Sequence, residues 1–379
     1  MTYYEQAVPG PGTHALIIGV GGYPHLPGGT GAPHPDPSLF GELAQLTSPP
    51  LSAVAVAEWL VKGPHERWTA PLASVELLVS PHPRHPETGT GTAVPTLAAV
   101  KAAYRAWRAR AQNRPDNVAL FYFCGHGVQA HARRILLTSD FAENEDDPFG
   151  GAFSLEPTRD ACVSGGPATQ AFFVDSCAAP APYFAMYQQS EVRGLASPAG
   201  RLTGDAAGNT VTILASPPYG EAASRPGEVS HYTRALLGAF DGHAASRHGT
   251  DWLVTTGHLY EAMTQLVNHD RGDGDQVLLQ SGLLGDAPLW RLAEPPPVLF
   301  TVSCIPDVAH CRASFVCERH RRPDLRRERP VPEPSPWPVR SVAGSHLVQA
   351  TFTDGCYPLV EEQLDVVPRT GTVPLRVVS

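Results

Sequence analysis

Two short apolar runs each end at a side chain that can do chemistry. Residues 118–123 lead into Cys124, Gly125, His126 and Gly127, and residues 171–174 lead into Asp175, Ser176 and Cys177. Runs this short, rich in aromatic and β-branched residues, read as buried strands. A thiol attacks a carbonyl as its thiolate, so a nucleophilic cysteine needs a lowered pKa or an adjacent base. An imidazole takes that proton and returns it to the leaving group. Open parallel α/β sheets keep their ligand crevice outside the carboxyl ends of the strands. Neighbouring strands would therefore set Cys177 and His126 facing each other across one cleft. A lone buried cysteine is usually a small hydrophobe. Cys124 and Cys162 are read that way, whereas the order, spacing and strand-end placement of the His126–Cys177 pair point to catalysis.

The elements that position the pair follow from patterning. Residues 14–20, 75–79, 134–138, 210–215 and 277–280 read as further strands. Residues 51–61 read as a largely buried helix. Residues 97–111 read as a helix capped by Thr96, with Val100, Tyr104 and Trp107 on one face. Two more helices are expected near 232–240 and 259–267. Strand alternating with helix predicts a mostly parallel sheet with helices on both faces. The stretch 21–50, rich in Pro, Gly and His, reads as a long loop. The prolines at 295–297 mark a domain boundary, giving an α/β domain over 1–294 and a small all-β domain over 298–379. In the latter, residues 298–304, 313–317, 346–352 and 373–378 read as strands of a sandwich-like fold.

Composition narrows the class. The 379 residues are 42% hydrophobic and 17% charged, with net charge −9. Basic residues cluster only near 319–329, so nucleic acid is not an expected partner. No apolar stretch reaches the roughly 18–20 residues of a membrane span. The N-terminal residues lack the pattern of a secretory signal. Seven cysteines without a tight pattern argue against a disulfide framework and for a reducing, cytoplasmic setting. With 35 Gly, 39 Pro and lysine only at Lys62 and Lys101, the composition suggests a bacterial gene. Cys304, Cys311, Cys317, His310 and His320 do not carry zinc spacing and read as ordinary thiols and imidazoles. Asp270, Asp273 and Asp275 depart from the twelve-residue calcium loop and read as a solvated turn. The acidic residues 143–147 read as an exposed loop.

The two motifs together resemble the caspase-type cysteine peptidases (the C14 clan), where the His precedes the Cys by about 50 residues. Residues 123–127 are similar to the family's histidine motif, and residues 175–178 resemble the nucleophile motif of its metacaspase and bacterial caspase-like branch. Residues 16–20 look like the first strand, and residues 214–222 resemble the strand and loop that follow the nucleophile. The likeness covers about residues 10–290. It implies a caspase-like fold and a cysteine endopeptidase with a Cys177–His126 dyad, acting on protein or peptide substrates without a cofactor. It implies an oxyanion hole from the N–H groups of Gly127 and Cys177. Asp175 stands where metacaspase-like enzymes hold a basic side chain, and Glu221 and Ser216 are further substrate-binding candidates. Cleavage after Arg, or Lys, follows from the bidentate match of carboxylate to guanidinium. The family's self-processing loop corresponds to residues 188–209, where Arg193 and Arg201 are candidate sites. Calcium dependence of some relatives keeps a Ca²⁺ requirement open. Bacterial relatives act in cell death or defence, by analogy of family alone. Ala178, Ala179 and Pro180 replace the Ser-Gly pair common after the nucleophile. That departure supports an alternative, a catalytically weak caspase-fold interaction module. The β-domain is the candidate surface for a protein partner.

Overall fold

The computed structural model describes residues 2–35, 40–41, 43–81, 91–130, 132–180, 192–197, 208–218, 220, 224–271, 276–282 and 285–377. The strands that build and flank the site are β1 (Thr2–Glu5), β2 (Thr13–Gly19), β3 (Leu72–Val79), β4 (Val118–Cys124), β5 (Gly127–Ala130), β6 (Arg133–Leu137), β7 (Ala152–Ser154), β8 (Thr169–Asp175), β9 (Ala179–Pro180) and β10 (Asn209–Leu214). The central sheet has the order β1–β3–β2–β4–β8–β10, closed by a short strand at Leu279–Ser281. From β3 to β10 every pairing is parallel, and both edge strands are antiparallel.

Sequence dictates this directly. Strands covered on both faces read as continuous apolar runs, and every residue of β2, β3 and β4 is buried. Alternate side chains feed two separate cores. Ala15, Ile17, Leu120, Tyr122 and Phe173 pack under the helices α1 (Ser48–Lys62), α4 (His231–Gly238) and α5 (Leu259–Arg271). Leu16, Ile18, Phe121, Phe123 and Phe172 pack under α2 (Leu97–Ala111) and α3 (Leu155–Val163). Thr96 caps α2 as expected, its Oγ1 accepting the Ala99 N–H at 3.3 Å. The Trp107 indole of α2 donates to the His14 carbonyl at 2.9 Å, locking the helix to β2. Helix α1 begins three residues before the predicted start, because Pro49 and Pro50 suit a first helical turn.

Beyond the carboxyl ends of β4 and β8 the chain builds a second small sheet, β7–β6–β5–β9. Residues 297–376 form sheets of three and four strands. Phe315 stacks on Trp337 and Phe300 meets His346, each at 5.9 Å. Three of these strands, Arg322–Arg329, Trp337–Val342 and Val360–Val366, were not legible by pattern. The first and last are edge strands dominated by exposed charges, which hides the period-2 signal. The chain changes topology at Pro297, yet the apolar core runs on without a break. Arg369 ties the tail back to the α/β part, donating to Ala245 O at 3.1 Å and pairing with Glu261 at 3.3 Å.

Candidate active site

Register decides which side chains meet. Along the β4–β8 ladder each residue faces the one 51 positions later, ending with Cys124 opposite Asp175. Past the sheet the same offset reappears, with Val128 opposite Ala179 in β5 and β9. His126 and Cys177 fall between these two points at the same offset. The two segments therefore leave and re-enter pairing at one offset, and a Cβ built on Gly127 would lie 2.6 Å from Cys177 O between those points. Sequence spacing and ladder register are one and the same number.

His126 is 9% exposed. Its Nε2 lies 2.7 Å from the carbonyl oxygen of Ala44. A carbonyl only accepts, so Nε2 carries the proton and Nδ1 keeps its lone pair. The ring leans on Tyr23 with centroids 4.9 Å apart, and the Tyr23 hydroxyl accepts the His126 N–H at 2.8 Å. Burial lowers the imidazole to about 4, with the Ala44 carbonyl opposing. His126 is thus uncharged at neutral pH. Neither Tyr23 nor Ala44 could be found from sequence. Tyr23 sits in a stretch that reads as a strand break, and Ala44 contributes only backbone.

The turn that carries Cys177 is held on several sides. A Cβ on Gly127 would lie 2.6 Å from both Cys177 O and Ser176 Oγ, so glycine is what permits this approach. Leu137 N donates to His126 O at 3.1 Å, which makes the facing Gly127–Leu136 pair a non-hydrogen-bonded one. That alternation turns the Gly127 N–H away from β6 and toward the Cys177 segment. Ala178 N donates to Gly220 O at 2.8 Å. Beneath the turn lies Arg134, whose Nη1 donates to Ser176 O, Ser176 Oγ and Cys177 O at 3.2–3.3 Å. Its Nη2 donates to Ser216 O at 3.0 Å. Ser216 is fully buried and donates its hydroxyl to Ser176 O at 3.1 Å. Ser216, expected as a substrate-binding candidate, has no exposed surface among the described residues and supports the turn. Arg134 was passed over in the sequence, although a basic residue opening an apolar strand just after the histidine was a usable signal.

Asp175 ends β8 as a buried carboxylate. Its Oδ2 accepts from the hydroxyls of Ser230 and Thr233 and from the Cys124 thiol at 3.4 Å. Ser230 also caps α4, accepting the Thr233 N–H at 3.0 Å, so Asp175 lies at the positive end of that helix. Burial pushes the carboxyl up, and the three donors pull it back. Burial likewise pushes the Cys124 thiol well above the usual range, consistent with a packing role. Glu221, Arg201, Asp273 and Asp275 lie outside the described residues. Asp270 is engaged by Arg234 at 2.7 Å and His231 at 2.9 Å. Among the described residues no group of three or more His, Cys, Asp or Glu is arranged to hold a metal. Arg193 has an exposed side chain, but its carbonyl accepts the Ser154 N–H at 3.0 Å. Leu195 beyond it is buried and donates its N–H to Thr158 Oγ1 at 3.0 Å.

Fold and site define an α/β protein whose neighbouring parallel strands β4 and β8 lead, just past their carboxyl ends, to His126 and Cys177. Residues 67–305 match the family described as caspase domain, Peptidase_C14. That is more than half of the chain, and the chain belongs to this family. An uncharacterized protein, y4kE of Sinorhizobium fredii, is 29% identical over 283 residues, covering 67% of this chain and 79% of that one. Among solved structures, protein GSU0716 of Geobacter sulfurreducens is 15% identical with a TM-score of 0.40, covering 72% of this chain and 94% of that one. Caspase-1 of Spodoptera frugiperda is 11% identical with a TM-score of 0.39, covering 75% and 96%. No helix among the described residues is long and apolar enough to cross a membrane.

Proposed function

We infer that the protein is a cysteine endopeptidase of the caspase type, with Cys177 as nucleophile and His126 as base. The supporting observation is the shared 51-residue offset on both sides of the pair. The tautomer fixed by Ala44 adds to it, since it leaves a lone pair on Nδ1. The Cys177 proton passes to His126 Nδ1 as sulfur bonds to the scissile carbonyl carbon. The N–H groups of Gly127 and Cys177 receive the oxyanion. His126 then protonates the leaving amine as the C–N bond breaks. A water, deprotonated by His126, hydrolyses the thioester and restores the thiol.

Cleavage after Arg, or Lys, is the specificity this reading carries. Asp175 supports it: all its hydrogen bonds among the described residues reach Oδ2, leaving Oδ1 for a basic side chain. Glu221 is the second acid in this proposal. Self-processing is assigned to residues 188–209, at Arg201 rather than Arg193, whose carbonyl is already held by Ser154. A role in bacterial cell death or defence and a partner bound through the β-sheets of the tail complete the proposal.

The test is a panel of peptides with Arg, Lys, Asp or Leu at the cleavage position, given to wild type, Cys177→Ala and His126→Ala. Release after Arg and Lys that both variants abolish is the expected result. Equal cleavage after Asp and Arg refutes the pocket. No cleavage by folded wild type refutes the peptidase reading and favours an interaction module.

A further inference from the structure

Arg134 is 1% exposed. Among the described residues no carboxylate meets its guanidinium; Glu156 beside it accepts the Arg134 backbone N–H instead, at 3.0 and 3.1 Å. Nη1 and Nη2 end on carbonyls and hydroxyls of Ser176, Cys177 and Ser216, and Nε is buried without a partner. A buried cation with no carboxylate on its fork is costly, even with the Glu156 charge acting on it through space, and such sites are where a fold keeps charge for a reason. Burial lowers the guanidinium to about 10, so it still carries its charge at neutral pH. Charge on Glu156, and after it charge on Cys177, acts on it in the opposite direction, so both groups lie within its field.

The dyad has a mismatch that this cation addresses. An ordinary thiol loses its proton near 8.5, while burial holds His126 near 4. Proton transfer between them is uphill by roughly 4 pH units unless something favours the thiolate. His126 cannot be that cation in its neutral resting form. The other titratable groups around the turn do not supply one. Tyr23 and Cys124 are neutral, with burial raising both. Asp175 and Glu156 bring the wrong sign.

We propose that Arg134 is the positioning residue and standing positive charge of the nucleophile turn, fixing the carbonyls of Ser176, Cys177 and Ser216 and favouring the Cys177 thiolate during proton transfer to His126. This rests on the dyad reading. The geometry gives each half of the role its own atoms: the fork orients three backbone groups, and its charge lies against the turn that carries the sulfur.

The pH profile of Cys177 alkylation by iodoacetamide, read by peptide mass, tests it without any need for turnover. Arg134→Gln should raise the midpoint by about one pH unit, a roughly tenfold slower reaction below it. Arg134→Lys keeps the charge and loses the fork. Its midpoint should stay within about 0.3 unit of wild type while kcat on an Arg peptide falls. A folded Arg134→Gln protein with an unchanged profile overturns the proposal, as does a Lys midpoint that moves with the Gln one. If Arg134→Gln does not fold, His126→Gln decides. A midpoint still below the ordinary thiol value is expected, and one returned to about 8.5 sinks the assignment. Cleavage surviving in Cys177→Ala would separately defeat the assignment of Cys177 as nucleophile, leaving the alkylation result as it stands.

Discussion

Gly127→Ala is the sharpest perturbation of the site. The new Cβ would sit 2.6 Å from Cys177 O, 2.6 Å from Ser176 Oγ and 2.9 Å from Ser176 Cβ, where ordinary contact begins at 3.4 Å. The turn must therefore give by roughly 0.8 Å, the shortfall between those distances, and overpacking of this kind costs about 1–3 kcal/mol. It cannot retreat freely. Arg134 Nη1 holds Cys177 O at 3.3 Å from another side, and Ala178 N is bonded to Gly220 O. The Gly127 N–H survives the substitution, so the oxyanion donor itself is not lost. What changes is its aim relative to the sulfur, and a misplacement near 1 Å costs about 10²-fold in rate. The assay is kcat/KM on an Arg peptide, beside a thermal melt. We expect a loss of about 10²-fold with a melting temperature lower by a few degrees. Gly371→Ala, where nothing lies within 4 Å of the new carbon, is the control and should change neither. A folded Gly127→Ala protein with wild-type turnover would falsify the placement of the nucleophile turn against β5.

Three further outcomes follow from named contacts. His126 is held near 4 in the fold against 6.5 when free, so between those values the unfolded chain binds the extra proton. Wild type should lose about 3 kcal/mol relative to His126→Gln as pH falls from 7 to below 4, measured by urea titration; parallel curves would mean the imidazole is not buried. Asp175→Asn should cut cleavage after Arg by tenfold or more while sparing any Leu-peptide turnover, and equal loss on both would assign Asp175 to the turn rather than the pocket. Arg193→Gln should leave self-processing unchanged, read as intact mass after incubation, because the Arg193 carbonyl is tied to Ser154 N; disappearance of a cut in that variant would move the site to Arg193.

Much of this was written in the chain. Residues 118–123 and 171–174 could hide in a sheet only as buried strands, and β4 and β8 are that. Helix α2 announced itself through Thr96 and a face of Val100, Tyr104 and Trp107. The spacing of 51 between His126 and Cys177 was legible because parallel neighbours keep a constant offset. Local signals of this kind need no knowledge of distant contacts.

Tertiary structure alone decided the rest, since those features depend on which distant groups the folded chain brings together. No pattern tells that the Ala44 carbonyl, 82 positions from His126, fixes the imidazole tautomer, because every residue has the same backbone oxygen. Ser216 reads as a loop serine and becomes a buried support only when β10 lies beside β8. Arg134 reads as the polar start of a strand until the β5–β6 hairpin drives its guanidinium under the nucleophile turn. Sequence determined the candidate pair and the strands that carry it; the surroundings that set charge, tautomer and position exist only once the sheet has formed.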